Sequence, residues 1–244
     1  MAKEVLLDSL DEAENHRSMN QMLTVLTRIK ETGFSPSHAL DIGAYEGSWA
    51  KAASVIFPGV SIVMVEAQAK KREHLERLHQ YNEDTFRYHI AMLGPEDKES
   101  VPFYQMDTGS GSTGSSMYEE QTPFPRNTVS LPMVKLDSLL KDYSEQRFSL
   151  AKIDVQGAEL DVLRGGSRLL RDAEFVAMEL SLMPYNKSAP LLAEVVAFMD
   201  ESGFRAVDIF EPKRDAKGQL VQIDFVFVRK GSEFTPRLTL GSSN

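Results

Sequence analysis

The stretch His38-Ala-Leu-Asp-Ile-Gly-Ala-Tyr-Glu-Gly-Ser-Trp-Ala50 decides the fold of this chain. Its first five residues are mostly apolar and predict a short buried strand that carries one carboxylate, Asp41. Gly43 and Gly47 then enclose a tight turn, and residues 48–57 have the apolar spacing of a helix. A strand, a glycine turn and a helix N-terminus together favour nucleotide binding, because glycine lets a ligand approach the backbone and the turn offers free N–H groups.

The negative charge of Asp41 indicates which class of nucleotide the site would bind. A dinucleotide site holds a pyrophosphate against the amides of such a turn, and a carboxylate beside it would repel that anion. A ligand with an ammonium and a sulfonium group would be attracted instead. The dinucleotide spacing Gly-x-Gly-x-x-Gly is also missing, because Tyr45 stands where the second glycine belongs. We therefore predict a site for S-adenosylmethionine (SAM) that includes Asp41, Gly43, Ala44, Tyr45 and Gly47.

The second predicted strand is followed by another acid. Residues 60–65 form a near-continuous apolar run, which is typical of a parallel strand buried on both faces, and Glu66 comes next. An acid about 20 residues after the glycine turn can accept hydrogen bonds from the ribose hydroxyls of a nucleoside. We therefore include Glu66 and the adjacent Ala67 in the cofactor site. Dinucleotide sites share this feature, and capping of the next helix is the alternative role of Glu66.

Residues 86–93 predict a third strand with Ala91 and Met92 at its end. An adenine ring can rest there on a small residue and a thioether, so both residues are candidates for cofactor binding. Packing of Met92 in the core is the alternative.

Composition limits the partners and the compartment. With 244 residues and 42% hydrophobic content, the chain can form one α/β domain with a large core. Its net charge of −9 argues against a nucleic-acid partner, whose phosphates demand a basic face. The chain has no cysteine, and no apolar run approaches the ~18 residues of a membrane span. Because the N-terminus is too polar for a signal peptide, we expect a cytoplasmic protein whose partner is neither nucleic acid nor membrane.

Three segments are predicted along the chain: a helical extension over 1–35, the main domain over 36–230 and a tail over 231–244. Strands alternate with helices throughout the main domain, which predicts a single doubly wound, mostly parallel α/β sheet. In such sheets ligands bind outside the carboxyl ends of the strands. Four candidate residues fall at strand ends in this prediction: Asp41, Glu66, Met92 and Asp154.

The tract 109–116 has the sequence Gly-Ser-Gly-Ser-Thr-Gly-Ser-Ser. Such a tract buries no large side chains and costs much backbone entropy to order. Two interpretations stay open, a mobile lid over an active site and a plain surface loop.

The chain resembles the FkbM-type class I SAM-dependent methyltransferases over about 33–229. The resemblance rests on six motifs: Leu40-Asp-Ile-Gly-Ala-Tyr-Glu-Gly, Val65-Glu-Ala, Lys135-Leu-Asp-Ser-Leu, Lys152-Ile-Asp-Val-Gln-Gly-Ala-Glu-Leu-Asp-Val-Leu-Arg-Gly-Gly, Met178-Glu-Leu-Ser and Gln222-Ile-Asp-Phe-Val-Phe-Val. It implies a seven-stranded Rossmann-like methyltransferase sheet whose last strand is antiparallel. It also implies methyl transfer to oxygen, usually to a hydroxyl of a small molecule or sugar.

The same resemblance assigns SAM-binding roles to Asp41, Gly43, Gly47 and Glu66. One residue departs from the family pattern: Gln156 occupies a place where the family often has glutamate. This departure weakens any acid, base or metal-binding role at that position.

Two carboxylates are candidates for the catalytic base, which methyl transfer to a poorly nucleophilic hydroxyl would use. Asp154 ends the predicted fourth strand, where it can also contact the cofactor, and Glu179 lies inside the predicted fifth strand. The alternative role of Asp154 is to fix the turn 155–157, and that of Glu179 is a buried structural carboxylate. A magnesium site would need two carboxylates and a backbone oxygen to converge. Nothing in the spacing demands this, so we predict no metal.

Two other functions remain open. A nucleotide-dependent oxidoreductase would share the sheet and Glu66, but Asp41 and the missing glycine count against it. A SAM-binding protein that has lost catalysis would keep the same strand-end residues.

Overall fold

The computed structural model describes residues 2–106, 114–122 and 125–235, with side chains from residue 17 onward. The described residues contain ten strands: β1 (His38–Ile42), β2 (Ser61–Glu66), β3 (Phe86–Ile90), β4 (Met92–Leu93), β5 (Lys98–Met106), β6 (Arg126–Val134), β7 (Phe148–Ile153), β8 (Phe175–Ser181), β9 (Phe204–Arg214) and β10 (Leu220–Arg229). They also contain seven α-helices: α1 (Ala2–Glu31), α2 (Ser48–Ile56), α3 (Arg72–Tyr81), α4 (Leu136–Leu139), α5 (Glu159–Arg164), α6 (Ser167–Asp172) and α7 (Leu192–Glu201).

The central sheet has seven strands in the spatial order β3-β2-β1-β7-β8-β10-β9. The pairings among β3, β2, β1, β7 and β8 are parallel, whereas β10 is antiparallel to both β8 and β9. The predicted doubly wound sheet with an antiparallel last strand is therefore confirmed. Strand β1 lies between β2 and β7, so the winding direction reverses at β1, and a ligand crevice opens at such a point.

Helices cover both faces of this sheet and bury two separate apolar clusters. On one face, α1, α2 and α3 pack against residues such as Ala39 and Met64. On the other face, α4 to α7 pack against residues such as Leu40 and Val63. Because neighbouring strand residues point to opposite faces, a strand covered on both sides must be apolar at nearly every position. This requirement explains the continuous apolar runs of β1 and β2.

A second, three-stranded sheet in the order β4-β6-β5 was not predicted. The predicted third strand, 86–93, ends at Ile90 in the structure, and the chain passes at Met92 into the small sheet. Met92, Phe103 and Met133 form the core of that sheet. Its apolar residues continue the apolar pattern of β3, so the sequence shows no boundary there.

The first and last helices have well-defined starts. The N-terminal extension forms one continuous helix, α1. Helix α7 begins at Leu192, after Ser188, whose φ is +64°. The residues before α7 are bound elsewhere, since the Lys187 N–H donates to the Glu119 carbonyl at 2.8 Å.

The proposed segment boundaries at 35 and 230 remain a prediction, and residues 236–244 of the tail lie outside the described residues. So do residues 109–113 of the Gly/Ser tract. Within the part of the chain that the structure describes, no helix has both the length and the apolar composition needed to cross a membrane.

Gly43 is the closest point of contact between the end of β1 and the end of β7. Its φ is +76°, and a Cβ added there would lie 1.7 Å from the Asp154 carbonyl oxygen. The Asp154 N–H also donates to the Ile42 carbonyl at 2.9 Å. Only glycine allows both the left-handed backbone and this approach.

We expect Gly43→Ala to lower the free energy of unfolding by about 2–5 kcal/mol, because a left-handed alanine costs about 1–2 kcal/mol and the overlap adds about 1–3 kcal/mol. Gly59→Ala is the matched control: its φ is +88°, and no atom lies within 4 Å of an added Cβ. In this variant the free energy of unfolding should fall only by the cost of placing alanine in a left-handed backbone conformation. Urea denaturation measures both variants, and equal losses would contradict the importance of the contact with Asp154.

Candidate active site

The N–H groups of the glycine turn are used within the protein. Those of Gly43 and Ala44 both donate to the Val65 carbonyl, at 2.8 and 3.0 Å, and that of Gly47 donates to the Ala44 carbonyl at 2.7 Å. The expectation that these N–H groups are free for a ligand is therefore wrong. The turn folds against the end of β2, so the strand-end side chains must provide much of the ligand recognition.

Asp41 is completely buried at the end of β1. Its Oδ2 accepts from the Ala50 N–H of α2 at 3.1 Å, while its Oδ1 has no hydrogen-bond partner among the described residues. Burial raises the pKa of Asp41 to about 6, against the lowering influence of Lys152. A carboxyl group with one unpartnered oxygen in this setting is stabilised by a cation nearby.

Glu66, at the end of β2, connects the glycine turn to the next segment. One carboxylate oxygen accepts from the Tyr45 N–H at 2.9 Å, and the other accepts from the Gln68 N–H at 2.8 Å. The second bond fixes Gln68, the residue before the 3₁₀ helix Ala69–Lys71, and the described residues show no side-chain cap at the start of that helix. Burial raises the pKa of Glu66, and the Gln68 side chain donates a third hydrogen bond to its carboxylate. Because an ionised carboxylate has about four acceptor positions, one remains for a hydroxyl of a ribose.

A buried lysine, which the sequence did not reveal, holds the side chain of Tyr45. Lys71 Nζ lies 3.6 Å from the centre of the Tyr45 ring and 2.7 Å from Glu46 Oε1. Burial lowers the pKa of Lys71, but its bonds to Glu46 and Tyr45 raise it above the usual value. These contacts support Tyr45 at a backbone φ of +52°, which is rare for a residue with a side chain.

Ala91 and Met92, which we expect near the adenine, and the cofactor candidate Ala67 lie around the start of the small sheet. The Ala91 N–H donates to the Glu66 carbonyl at 2.9 Å. Met92 is 4% exposed and packs with Phe103, and Ala67 packs against the same cluster. Met92 thus makes the core contacts of the alternative interpretation. The adenine-binding roles of Ala91 and Met92 and the cofactor-binding role of Ala67 remain predictions.

Asp154 follows β7 and is bound by two side chains. Its Oδ2 accepts from Lys152 Nζ at 2.9 Å, and its Oδ1 accepts from Gln156 Nε2 at 2.7 Å. The Asp154 side chain is 25% exposed. Burial raises the pKa of Asp154, but the ammonium groups of Lys152 and Lys213 together lower it by more, so the pKa lies below the usual value. Asp154 is therefore ionised at neutral pH.

Lys152 was not predicted as a site residue. It is 8% exposed and lies opposite Asp41 in the register of β1 and β7. Burial lowers the pKa of Lys152, but Asp154 and Asp41 raise it above the usual value. The available signal was a lysine in an apolar strand two positions before an acid, since alternate strand residues share a face.

Glu179 is almost completely enclosed by donors. Its Oε1 accepts from Gln156 Nε2 at 2.7 Å and from Gln222 Nε2 at 2.6 Å, and its other oxygen pairs with Lys213. Burial and the charge of Asp154 raise the pKa of Glu179. Asp224 lies directly opposite Glu179 in the register of β10 and β8 and is also buried.

A second acid, Glu159, binds the turn 155–157 in addition to Asp154. The N–H groups of Val155 and Gly157 both donate to Glu159 Oε1 at 3.1 Å. Burial raises the pKa of Glu159 to about 8. Glu159 thus binds two main-chain N–H groups of the turn, while the Asp154 carboxylate binds the side chain of Gln156 in the same turn.

No group of three or more histidine, cysteine, aspartate or glutamate side chains in the described segments is arranged to hold a metal ion. The donors around Asp154 and Glu179 are two lysines and two amides. These groups occupy acceptor positions that a metal ion would need.

The sheet order, the glycine turn at the switch point and the acids at the strand ends define a class I, Rossmann-like methyltransferase. A family model described as the methyltransferase FkbM domain matches residues 41–206, which is more than half of the chain. The protein belongs to the FkbM methyltransferase family, which confirms the resemblance found in the sequence, and its cofactor is SAM. No curated protein matches the chain significantly.

Solved structures share the fold at low sequence identity. A protein from Klebsiella pneumoniae assigned as an O-methyltransferase has a TM-score of 0.53 and 11% identity, with 87% of this chain and 80% of that chain covered. The magnesium protoporphyrin IX methyltransferase from Synechocystis PCC 6803, with bound SAM, has a TM-score of 0.49 and 9% identity, and the coverage is again 87% and 80%. Identities this low show the fold alone.

The residues present fit SAM. Asp41, Glu66 and Asp154 interact electrostatically at the switch point, and Lys152 is the ammonium group among them. The cluster is therefore negatively charged overall when its acids are ionised. This charge attracts a ligand with ammonium and sulfonium groups, and the remaining acceptor position of Glu66 suits a hydroxyl of a ribose.

We expect the affinity for S-adenosylhomocysteine (SAH) to fall by up to about tenfold as the pH is lowered from 7 to 5, because Asp41, with its pKa of about 6, loses its charge over this range. A ligand ammonium favours the ionised form of Asp41, so protonation of Asp41 competes with binding. Calorimetric titrations at several pH values measure the effect. Asp41→Asn should bind more weakly at pH 7 with a flattened pH profile, and an unaltered profile would remove Asp41 from the site.

We expect Glu66→Ala to weaken SAH binding by roughly 1.5–3 kcal/mol, the scale of hydrogen bonds to a charged group. Glu73→Ala is the control, since Glu73 lies on the neighbouring helix α3 with its side chain 73% exposed. Titration calorimetry compares the two variants. If Glu66→Ala bound SAH as tightly as the control, Glu66 would not contact the ribose.

Proposed function

We propose that this methyltransferase acts on oxygen, at a hydroxyl of a small molecule or sugar, with Asp154 as the residue that orients the hydroxyl and accepts its proton. The proposal rests on the exposure, ionisation and hydrogen bonds of the Asp154 carboxylate. It is a partly exposed, ionised carboxylate at the end of β7, next to the glycine turn, and each of its oxygens is oriented by one donor. Each oxygen keeps a further acceptor position for a hydroxyl.

The roles of the residues follow from their positions. SAM, when bound, supplies a methyl group on a positively charged sulfur. Asp41 and Glu66 would hold the ammonium and ribose groups, while Asp154 would align the acceptor hydroxyl. In-line alignment contributes roughly 7–11 kcal/mol to lowering a barrier of this kind. A base at the hydroxyl adds about 10²–10⁴ in rate.

A carboxylate with a lowered pKa is strong enough for this task. The hydroxyl becomes far more acidic as its oxygen begins to bond carbon, so the proton moves to Asp154 late in the transfer. Lys152 stabilises the ionised form of Asp154 before the transfer. The residue is thus in the required protonation state at neutral pH.

Glu179, the other candidate base, is less accessible to a hydroxyl than Asp154. Its side chain is only 2% exposed, and three donors bind it. An acceptor hydroxyl therefore has little access to the position that these donors leave. We therefore assign Glu179 a positioning role, through Gln156 and Lys213.

The surroundings of the acids support an acceptor rich in hydroxyl groups. Tyr185 accepts from Ser181 Oγ at 3.0 Å and from Gln222 Nε2 at 2.5 Å, and Gln222 also binds Glu179. Such a network presents several donors and acceptors to a polar ligand. The net charge of −9 disfavours a nucleic acid as acceptor.

We expect Asp154→Asn to reduce methyl transfer by about 10²-fold or more, while SAH affinity and melting temperature change little. Incubation with methyl-labelled SAM and a fractionated small-molecule extract reveals the acceptor. NMR of the product, and stability of the label to mild base, distinguish a methyl ether from an ester. Asp208→Asn, on the far strand β9, is the control.

Near-normal transfer by Asp154→Asn would remove this residue from the mechanism. A labelled nitrogen or carbon would contradict transfer to a hydroxyl. Binding of SAH without transfer to any fraction would favour the catalytically silent alternative.

A further inference from the structure

Gln156 joins two groups of residues that are otherwise distant in the sequence. Its side-chain Nε2 donates to Asp154 Oδ1 and to Glu179 Oε1, both at 2.7 Å. Its main-chain carbonyl accepts from Ser116 Oγ and from Asn186 Nδ2, both at 2.8 Å. The amide end thus contacts the acids of the site, and the carbonyl end contacts two loops.

These two loops are bound to each other. We call residues 114–122 and 185–187 the cover segments. The Gln121 N–H donates to the Tyr185 carbonyl at 2.7 Å, and the Lys187 N–H donates to the Glu119 carbonyl at 2.8 Å. Glu120 and Asn186 form an isolated antiparallel bridge between them. The cover segments therefore form one unit that is attached to Gln156 at two points.

The backbone of Gln156 is held in a rare conformation. Its φ is +56°, in the left-handed region that a residue with a side chain seldom adopts. Such a conformation persists only where the surrounding bonds determine it. In this case the bonds to the acids and the bonds to the cover segments fix the two ends of the same residue.

An amide suits this position better than a carboxylate. The terminal NH₂ has two hydrogens to donate, one for each acid, whereas an ionised glutamate has none. A third negative charge between Asp154 and Glu179 would raise the pKa of both acids. The departure from the family pattern is therefore matched by a bonding pattern that only the amide can form at neutral pH.

We propose that Gln156 is a positioning residue that couples the cover segments to the carboxylate of Asp154. An acceptor that contacts the cover would act on the orientation of Asp154 through the backbone and side chain of Gln156. The proposal rests on the proposed function, because it takes Asp154 as the residue that handles the hydroxyl. The following measurements need no acceptor, so the coupling can fail while the transfer assay succeeds, and the reverse.

Two variants test the coupling from its two ends. Gln156→Gly keeps the carbonyl and the left-handed backbone and removes only the side-chain amide. Ser116→Ala removes the bond from Ser116 Oγ to the Gln156 carbonyl, together with the bond that Ser116 Oγ accepts from the Tyr118 N–H at 3.0 Å within the cover segments. Carboxyl ¹³C NMR follows the titration of Asp154, assigned with Asp154→Asn. Hydrogen exchange follows the N–H groups of Gln121 and Lys187. Ser138→Ala is the control, because Ser138 binds the exposed Asp97 at 2.9 Å, away from the site.

With Gln156→Gly, we expect the pKa of Asp154 to rise by about one unit, since a donor to the charged form is lost. We expect the cover N–H groups to exchange about 2- to 10-fold faster, the scale of one net hydrogen bond. Ser116→Ala should move the Asp154 titration in the same direction, because coupling is reciprocal.

Unchanged cover exchange in Gln156→Gly, or unchanged titration of Asp154 in Ser116→Ala, would overturn the coupling. If Gln156→Gly does not fold, Gln156→Asn replaces it, because asparagine tolerates the left-handed backbone and its shorter amide cannot reach both acids. It should then raise the pKa of Asp154 in the same direction, and an unmoved titration would again contradict the proposal.

Discussion

The buried ammonium of Lys152 is the interaction on which the arrangement of acids depends. It lies opposite Asp41 in the sheet register and bonds to Asp154 at 2.9 Å. Without it, Asp41 and Asp154, at the ends of neighbouring strands, would be buried without a compensating positive charge and would repel each other. Buried charges persist only when they are paired and hydrogen-bonded. The sheet can place its acids at the switch point because a lysine of β7 offsets part of their charge.

Lys152 also lies near two acids, Asp154 and Asp41, whose pKa values are shifted in opposite directions. Asp154 bonds to it directly, and its pKa falls below the usual value, whereas the pKa of the fully buried Asp41 still rises to about 6. Asp154 is therefore ionised at neutral pH, as the proposed acceptor of a hydroxyl proton must be. The ionised form of Asp41 is stabilised by a nearby cation, and we expect the ammonium group of SAM to be that cation. The same lysine thus links the cofactor side to the acceptor side.

The sequence predicted the acids but not the groups that hold them. Asp41, Glu66 and Asp154 follow or end apolar runs, and parallel strands bring such ends to one edge, so their positions were predictable. Lys213 and Gln222 reach Glu179 only through the antiparallel pairings of β9, β10 and β8, whose register is set by tertiary packing. The use of the turn N–H groups by Val65 depends likewise on how β2 packs, and the sequence does not encode that locally.

The charge balance explains why an amide at position 156 belongs with the two lysines. Asp154 pairs with Lys152 and Glu179 pairs with Lys213, while Lys152 also offsets the charge of Asp41. Gln156 adds two hydrogen bonds to this cluster and no charge. A glutamate in its place would add a negative charge to a cluster whose two ammonium groups already have acidic partners, so that protein would need a proton on the glutamate or another cation. A site with glutamate there and a site with glutamine there would therefore differ in their pH dependence, even if both orient the same hydroxyl.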